Sequence, residues 1–206
     1  MIDFTNEEIE DYWNLYYDKK LDRLPNSDFA SFIINKIETE KSLIDIGCGD
    51  ARDSYFFSIN NIFTTGIDIS SAVIKKNSLL ENKYLKFEEM DLSEINKHKA
   101  IYDFAYCRFL FHAIPEHIEN ELLSWLKNNI KSQIFIETRI LDEMDKSIST
   151  SHFRRFFTSE SFIEKLVKSN FKIVYKKTSY NFSKYKSIYG VKDLQKDPLI
   201  LRLIIE

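Results

Sequence analysis

A strand, a loop and a helix are predicted in succession by Ser42-Leu43-Ile44-Asp45-Ile46-Gly47-Cys48-Gly49-Asp50-Ala51-Arg52-Asp53-Ser54. The stretch begins with a short apolar run, breaks at two glycines one residue apart and continues in a helical pattern. Because glycine has no Cβ, a strand that ends in Gly-x-Gly and leads into a helix lets backbone N–H groups approach a ligand closely. The loop is therefore a candidate ligand-binding site.

A second landmark follows about 20 residues later, at the distance where a nucleotide-binding αβ unit places its ribose-binding acid. Gly66-Ile67-Asp68-Ile69 is an apolar run that contains one carboxylate, at Asp68. The glycine loop and this acid together predict a pocket for a cofactor that contains adenosine.

Two departures from the dinucleotide pattern indicate which cofactor this is. Arg52 stands where a third glycine would allow helix and strand to pack closely under a pyrophosphate. Asp45 precedes the first glycine by two residues, and a carboxylate there disfavours a pyrophosphate but favours an ammonium or sulfonium group. Both features point away from NAD and toward S-adenosylmethionine, whose demethylated product is S-adenosylhomocysteine.

The stretch resembles motif I of the class I (Rossmann-like) S-adenosylmethionine-dependent methyltransferases, with Ala51 in place of the third glycine. From Ser27 to Glu206, the order of elements is similar to that of a complete domain of this class. Strands are predicted at 42–46, 62–67, 84–89, 101–107, 133–138, 171–180 and 199–205, and helices at 6–20, 28–38, 52–59, 70–82, 116–129 and 159–168. The alternation predicts a three-layer α/β/α Rossmann-like sandwich, whose seven-stranded, mostly parallel sheet has one antiparallel C-terminal strand.

Composition limits the remaining possibilities. The chain has 206 residues and a net charge of −3, which gives no electrostatic case for a nucleic-acid partner. No apolar run reaches the roughly 18 residues of a membrane span, and two cysteines predict reduced thiols in a cytoplasmic protein. We expect one domain, monomeric or homodimeric, in which residues 1–40 form a helical arm or lid and 41–206 form the core.

The cofactor contacts are predicted at the strand ends and on the first helix. Asp91, after the third strand, corresponds to the family acid that accepts a hydrogen bond from adenine, although a solvated turn acid is the alternative. The aromatic face of the first helix either packs on the sheet or covers the cofactor. The predicted cofactor-binding residues are Asp45, Gly47, Cys48, Gly49, Arg52, Asp53, Asp68, Ile69, Met90, Asp91, Leu92, Arg108, Trp13 and Tyr17.

Catalytic and acceptor-binding residues are expected at the carboxyl ends of the later strands, where open α/β sheets place their chemistry. His112 is the first candidate general base and His152 the second; the alternative for His112 is a buried structural histidine. Arginine forks bind phosphate or carboxylate, which predicts an acidic or saccharide acceptor carrying a phosphate, phosphonate or uronate. The predicted acceptor-binding residues are Glu137, Arg139, His152, Arg154 and Arg155.

A second resemblance is carried by Phe135-Ile136-Glu137-Thr138-Arg139, His152-Phe153-Arg154-Arg155-Phe156 and Asp197-Pro198. These motifs resemble small bacterial methyltransferases of capsule or surface-polysaccharide biosynthesis, which implies O-methylation of a polysaccharide precursor. A catalytically silent S-adenosylmethionine-binding module and an NAD-type reductase are the alternatives. No metal site is expected, because the cysteines and histidines lack paired ligand spacing.

Overall fold

Seven strands form the sheet in the part of the chain that the computed structural model describes, which is residues 5–19, 24–141, 153–182 and 197–206. They are β1 (Ser42–Ile46), β2 (Phe63–Asp68), β3 (Leu85–Glu89), β4 (Tyr102–Arg108), β5 (Ile130–Arg139), β6 (Ile173–Ser179) and β7 (Ile200–Ile205). The helices of the same ranges are α1 (Asn6–Asp18), α2 (Asp28–Ile33), α3 (Arg52–Ile59), α4 (Ser71–Asn77), α5 (Glu116–Asn129) and α6 (Ser159–Lys168). None of the described helices is long and apolar enough to cross a membrane.

The strand order is β3-β2-β1-β4-β5-β7-β6, and β7 runs antiparallel to both of its neighbours. The other pairings are parallel. The chain proceeds from β1 outward to β3 and then returns to β4 on the opposite side of β1. Ligands bind outside the carboxyl ends of the strands at such a switch point. The predicted sheet is confirmed, including its single antiparallel strand.

Two apolar layers cover the two faces of the sheet. Leu43 packs with Phe29, Ile33 and Phe57 from α2 and α3. Its neighbour Ile44 faces the layer that contains Leu122 and Phe162 of α5 and α6. Successive side chains of a strand point to opposite faces, so a strand buried on both sides is an unbroken apolar run.

Side-chain caps set where the helices begin. Ser27, Ser70 and Thr158 each accept a hydrogen bond from a backbone N–H of the first helical turn. The sequence predicts Asn6, a residue type that often caps helices, as the N-cap of α1, and this prediction is wrong. Thr5 is its N-cap, in a reciprocal capping box with Glu8, and Asn6 is the first helical residue.

The predicted boundaries differ most where a helix tightens before it ends. The helices predicted at 28–38 and 70–82 leave the α conformation at Ile33 and Asn77, and a 3₁₀ turn follows each. β5 begins at Ile130, three residues earlier than predicted, because the extended C-cap of α5 continues directly into the strand. Periodicity alone does not show these transitions.

Candidate active site

The glycine loop is held in left-handed backbone geometry between β1 and α3. Gly47 and Gly49 have φ of 74° and 53°. Ala51, which precedes α3, has φ of 59°, a conformation that is strained for a residue with a Cβ. This explains why the family pattern has a glycine at that position. The N–H groups of Gly47 and Cys48 both donate to the carbonyl oxygen of Ile67, at 2.8 and 3.0 Å, which fastens the loop to β2.

Asp68 fixes the loop from the end of β2. Its Oδ2 accepts from the Gly49 N–H at 2.9 Å, and its Oδ1 accepts from the Ser70 N–H at 3.0 Å. Burial raises the pKa of this carboxyl above its usual range, while the backbone donors act in the opposite direction. Asp68 therefore shapes the loop as well as lining the cavity beside it.

Asp45 is a buried acid at the end of β1, 2% exposed. The Ser54 hydroxyl donates to its Oδ2 at 2.5 Å. Burial, reinforced by repulsion from Asp53 and Asp68, raises the pKa of Asp45 to about 8, against the stabilising effects of Ser54 and of the Arg108 charge. A cation bound next to Asp45 would favour its ionised form.

One cavity of ≈ 240 Å³ brings the loop, the strand ends and α1 together. Every residue predicted to bind the cofactor lines it, from Trp13 and Tyr17 on α1 to Arg108 on β4. His112, Arg139 and Arg154 line it as well. His152 lies outside the described residues. The cavity also has lining residues outside the predicted cofactor-binding, catalytic and acceptor-binding sets: Asn6, Ile9, Tyr12, Tyr16, Asp50, Ile67, Tyr106, Phe109, Leu110, Ala113, Ile114, Pro115 and Ile118.

Helix α1 covers the glycine loop. A Cβ added at Gly49 would lie 2.5 Å from the Tyr17 hydroxyl oxygen, so only glycine allows this approach. Asn14 attaches α1 to α4 by accepting from the Ser70 hydroxyl and the Ala72 N–H, and Asn6 donates to Asp91. The pairing of Asn6 with Asp91 spans 85 residues of sequence, and no local pattern could reveal it.

Two acids in the predicted cofactor set have structural partners. Asp53 accepts from the Ser27 N–H and hydroxyl at 2.6 and 2.8 Å and from the Tyr106 hydroxyl at 2.8 Å. Asp91 accepts from the Ser93 N–H at 2.8 Å and caps a 3₁₀ turn. Asp53 lines the cavity, but both of its oxygens are engaged by α2 and β4, so its evident role is to position these elements.

Glu137 is placed differently from the prediction that it binds the acceptor. It is 1% exposed, and its two oxygens accept from the Nε atoms of Arg108 and Arg202, at 2.8 and 2.6 Å. It does not line the cavity. The carboxylate therefore positions Arg108, and the predicted contact between Glu137 and the acceptor is not supported.

Arg155 also departs from its predicted role as an acceptor ligand. Its guanidinium forms an ion pair with the buried Glu119 on α5, and its backbone N–H donates to the His112 carbonyl oxygen at 2.8 Å. Arg155 is absent from the cavity wall, whereas its neighbour Arg154 contributes to it. Arg154 and Arg155 are adjacent in the chain, and the sequence could not show which of the two lines the cavity.

His112 is both buried and part of the cavity wall, so the two interpretations of its sequence position are compatible. It is 5% exposed, and its Nδ1 lies 3.2 Å from the Thr138 hydroxyl oxygen. The ring of Phe109 packs edge-on against it, with centroids 5.8 Å apart. Phe109 has φ of 57°, and the Arg108 guanidinium lies 4.2 Å above its ring. Backbone strain of this kind is often found at functional sites.

The donor set fits S-adenosylmethionine. The cavity offers buried carboxylates for the ammonium and sulfonium groups, a glycine loop in its wall, and an acid at the end of β2 for the ribose. The described residues contain no group of three His, Cys, Asp or Glu side chains that could hold a metal ion. The fold and this cavity define a Rossmann-like methyltransferase.

Comparison with known proteins supports the same assignment. Residues 17–176 match the model of a methyltransferase-domain family, and the chain belongs to this family. It is an S-adenosylmethionine-dependent methyltransferase, with S-adenosylmethionine as its cofactor. Comparison of the sequence with those of curated proteins gave no match.

Solved structures share the fold at low sequence identity. An S-adenosylmethionine-dependent methyltransferase from Anabaena variabilis superposes with a TM-score of 0.74 at 18% identity, covering 99% of this chain and 96% of that chain. The 1,6-didemethyltoxoflavin-N1-methyltransferase of Burkholderia thailandensis, solved with 1,6-didemethyltoxoflavin and S-adenosylhomocysteine, gives 0.69 at 15%, covering 97% and 83%. The magnesium protoporphyrin IX methyltransferase of Synechocystis, solved with S-adenosylhomocysteine, gives 0.63 at 13%, covering 100% and 87%.

Proposed function

We propose that this methyltransferase O-methylates a small acceptor that carries an acidic group, on a saccharide or phosphate- or phosphonate-bearing precursor of a bacterial surface polysaccharide. The observation that carries the proposal is that Arg108, Arg139 and Arg154 line the same cavity as the glycine loop. Guanidinium groups bind phosphate and carboxylate through paired hydrogen bonds. The polysaccharide pathway rests on the sequence resemblance of the 135–139 and 152–156 motifs.

Charge is distributed unevenly around the cavity. The loop and the ends of β1 and β2 contribute carboxylates, at Asp45, Asp50 and Asp68. Four arginines line the cavity: Arg52 begins α3 beside these acids, whereas Arg108, Arg139 and Arg154 come from β4, from β5 and from the segment before α6. An acidic region suits the cationic methionine end of the donor, and a basic region suits an anionic acceptor.

The bound donor supplies an electrophilic methyl group on a sulfonium. The protein's residues would orient the acceptor, exclude water and accept a proton. In the proposal, the Nδ1–H group of His112 donates to the Thr138 hydroxyl oxygen, 3.2 Å away, and the Nε2 lone pair takes the proton of the acceptor hydroxyl. The aromatic residues of α1 shield the cavity, and Arg139 and Arg154 hold the acidic group of the acceptor.

Calorimetry and a methyl-release assay test the proposal. Purified protein should bind S-adenosylmethionine and S-adenosylhomocysteine but not NADH, and it should release methyl groups to at least one compound in a panel of sugar phosphates, uronates and small phosphonates. Arg154→Ala should raise the KM for that acceptor by about tenfold or more, since a charge-assisted hydrogen bond contributes about 1.5–3 kcal/mol. The cofactor Kd should be unchanged.

Lys168→Ala is the matched control, because it removes an exposed cation of α6 that pairs with Glu164. It should change neither constant. Equal losses of acceptor and cofactor binding in Arg154→Ala would contradict the acceptor role, and transfer to neutral acceptors alone would contradict the acidic substrate class.

A further inference from the structure

Glu119 is a fully buried carboxylate on α5, and its partners lie outside the cavity wall. It is 0% exposed and forms an ion pair with the Arg155 guanidinium; Lys165 Nζ lies 3.5 Å from its Oε2. Its Oε1 has no hydrogen-bond partner among the described residues. Glu119 and Arg155 thus form an ion pair in which the carboxylate is fully buried, the guanidinium is 20% exposed, and one carboxylate oxygen is left without a donor.

Stability alone gives a poor reason for such a pair. Removing two charged groups from water costs about as much as their attraction returns, and a well-packed apolar pair is often at least as stable. The oxygen without a donor adds a further desolvation cost. A buried pair of this kind is better explained by the geometry that it imposes.

Arg155 links three parts of the active-site wall. Its backbone N–H donates to the His112 carbonyl oxygen at 2.8 Å, and its Nη1 donates to the Ile114 carbonyl oxygen at 3.4 Å. The ion pair with Glu119 joins the same residue to α5. Arg155 therefore fastens the segment before α6 to the turn that follows β4.

The residues next to these contacts form part of the cavity wall, although Glu119 and Arg155 do not. Arg154 precedes Arg155 in the chain, and His112 and Ile114 provide the two carbonyl groups that Arg155 contacts. A shift of the segment would move Arg154 relative to His112. A displacement of about 1 Å is enough to impair a positioned reaction.

We infer that Glu119 and Arg155 are positioning residues, which hold Arg154 and the His112–Ile114 turn in the geometry that binds the acidic group of the acceptor. The inference rests on the proposed function, since it assumes that Arg154 binds this group. It assigns Glu119 and Arg155 no contact with the substrate.

Two variants separate positioning from folding. Glu119→Gln removes the charge and leaves the half-buried Arg155 guanidinium without its carboxylate partner. The double variant Glu119→Leu/Arg155→Met replaces the pair by apolar side chains of similar size, which should preserve the free energy of unfolding. Glu116→Gln is the matched control, because Glu116 is the other acid of α5 that binds Lys165, and its side chain is largely exposed.

Hydrogen exchange, urea unfolding and calorimetry supply the readouts. In the double variant, the amide of residue 155 should exchange about tenfold faster than in the wild type, while the amides of β1 keep their rates. Inorganic phosphate, titrated with and without S-adenosylhomocysteine, should bind about tenfold more weakly to both variants. The Kd for S-adenosylhomocysteine should stay within about twofold in all proteins, and Glu116→Gln should behave as the wild type.

An unchanged exchange rate at residue 155 or an unchanged phosphate Kd in the double variant would overturn the inference. Absence of phosphate binding in the wild type would also overturn it, because the pair would then have no anion site to position. Neither result would contradict the binding of the cofactor. Conversely, failure of the wild type to bind S-adenosylhomocysteine would overturn the proposed function, while the phosphate and exchange results would still decide the inference.

Discussion

Burial of the Asp45 carboxyl destabilises the folded protein, but the same carboxyl can bind the ammonium group of the cofactor. Its carboxyl is buried among other acids, which raises its pKa to about 8. At neutral pH the unliganded protein therefore retains a proton that the unfolded chain has lost. A bound ammonium group would favour the ionised carboxylate and expel that proton, so cofactor affinity and protonation are linked at this residue.

The linkage predicts how S-adenosylhomocysteine binding depends on pH. Because binding favours ionised Asp45, affinity should rise between pH 6 and pH 8, by at most about tenfold per unit. Calorimetry in buffers of different ionisation enthalpy should detect proton release. Asp45→Asn should bind more weakly and lose this proton release. The control Glu164→Gln, which changes an exposed carboxylate of α6, should keep it; retained proton release in Asp45→Asn would assign it to another group.

The same raised pKa predicts that the free energy of unfolding depends on pH in the opposite direction to the cofactor affinity. Between the ordinary range of an aspartate and about 8, the folded state holds a proton that the unfolded state has lost. The contribution of Asp45 to the free energy of unfolding therefore falls as pH rises through this window. Asp45→Asn should flatten the dependence of Tm on pH in the unliganded protein, and an equal slope in both proteins would contradict the assignment.

Single residues were predictable where their role depends on local geometry. Gly47 and Gly49 could be identified because positive φ and close approach require glycine, and Asp68 because it follows the second strand at a characteristic distance. The ion pairs of Glu137 and Arg155 could not be predicted because their partners, Arg202 and Glu119, are distant in sequence. Composition shows that such charges exist but not which ones neutralise each other.

At the scale of elements, α1 is attached to the core mainly by polar contacts. Its one buried side chain is Ile9, which is still 9% exposed, whereas Asn14 accepts from the Ser70 hydroxyl at 2.7 Å and from the Ala72 N–H at 3.3 Å. Lys76 Nζ donates to the Tyr17 carbonyl oxygen at 2.6 Å. An element held in this way can separate from the core at little cost, which is suitable for a lid.

Asn14→Ala should therefore weaken cofactor binding without unfolding the core. Two lost hydrogen bonds correspond to about 1–2 kcal/mol, so the Kd for S-adenosylhomocysteine should rise by roughly 5- to 30-fold. Calorimetry measures the affinity, and Trp13 fluorescence reports the docking of α1. Leu15→Ala changes an exposed residue of the same helix and should have no effect. Unchanged affinity in Asn14→Ala would show that α1 does not cover the cofactor.

At the scale of the whole molecule, the sheet could be predicted because β1, β2, β4 and β5 contain short apolar runs and are each followed by a helix, and because parallel pairing requires such crossovers. The carboxyl ends of β1 and β4 then meet at the switch point, which places the cavity. The charge network below it could not be predicted. Glu137 of β5 joins Arg108 of β4 to Arg202 of β7, and Arg108 Nε lies 4.0 Å from Asp53 of α3.

This network connects the C-terminal strand to the helix of the glycine loop through buried charges, so it should behave as a unit. Glu137→Gln leaves Arg108 and Arg202 buried with less compensation and should lower the free energy of unfolding by about 3–5 kcal/mol. Glu137→Leu/Arg202→Met removes both charges of the β5–β7 pair and should cost less than Glu137→Gln alone. Urea unfolding measures both losses. Glu88→Gln is the control: Glu88 pairs with Lys86 at the surface, and its replacement should change the free energy of unfolding by about 0–1 kcal/mol. The double variant is to be compared with Glu137→Leu and Arg202→Met measured separately. If its loss in the free energy of unfolding equals the sum of the two single losses, Glu137 and Arg202 are independent, and the sheet holds the C-terminal strand without their pairing.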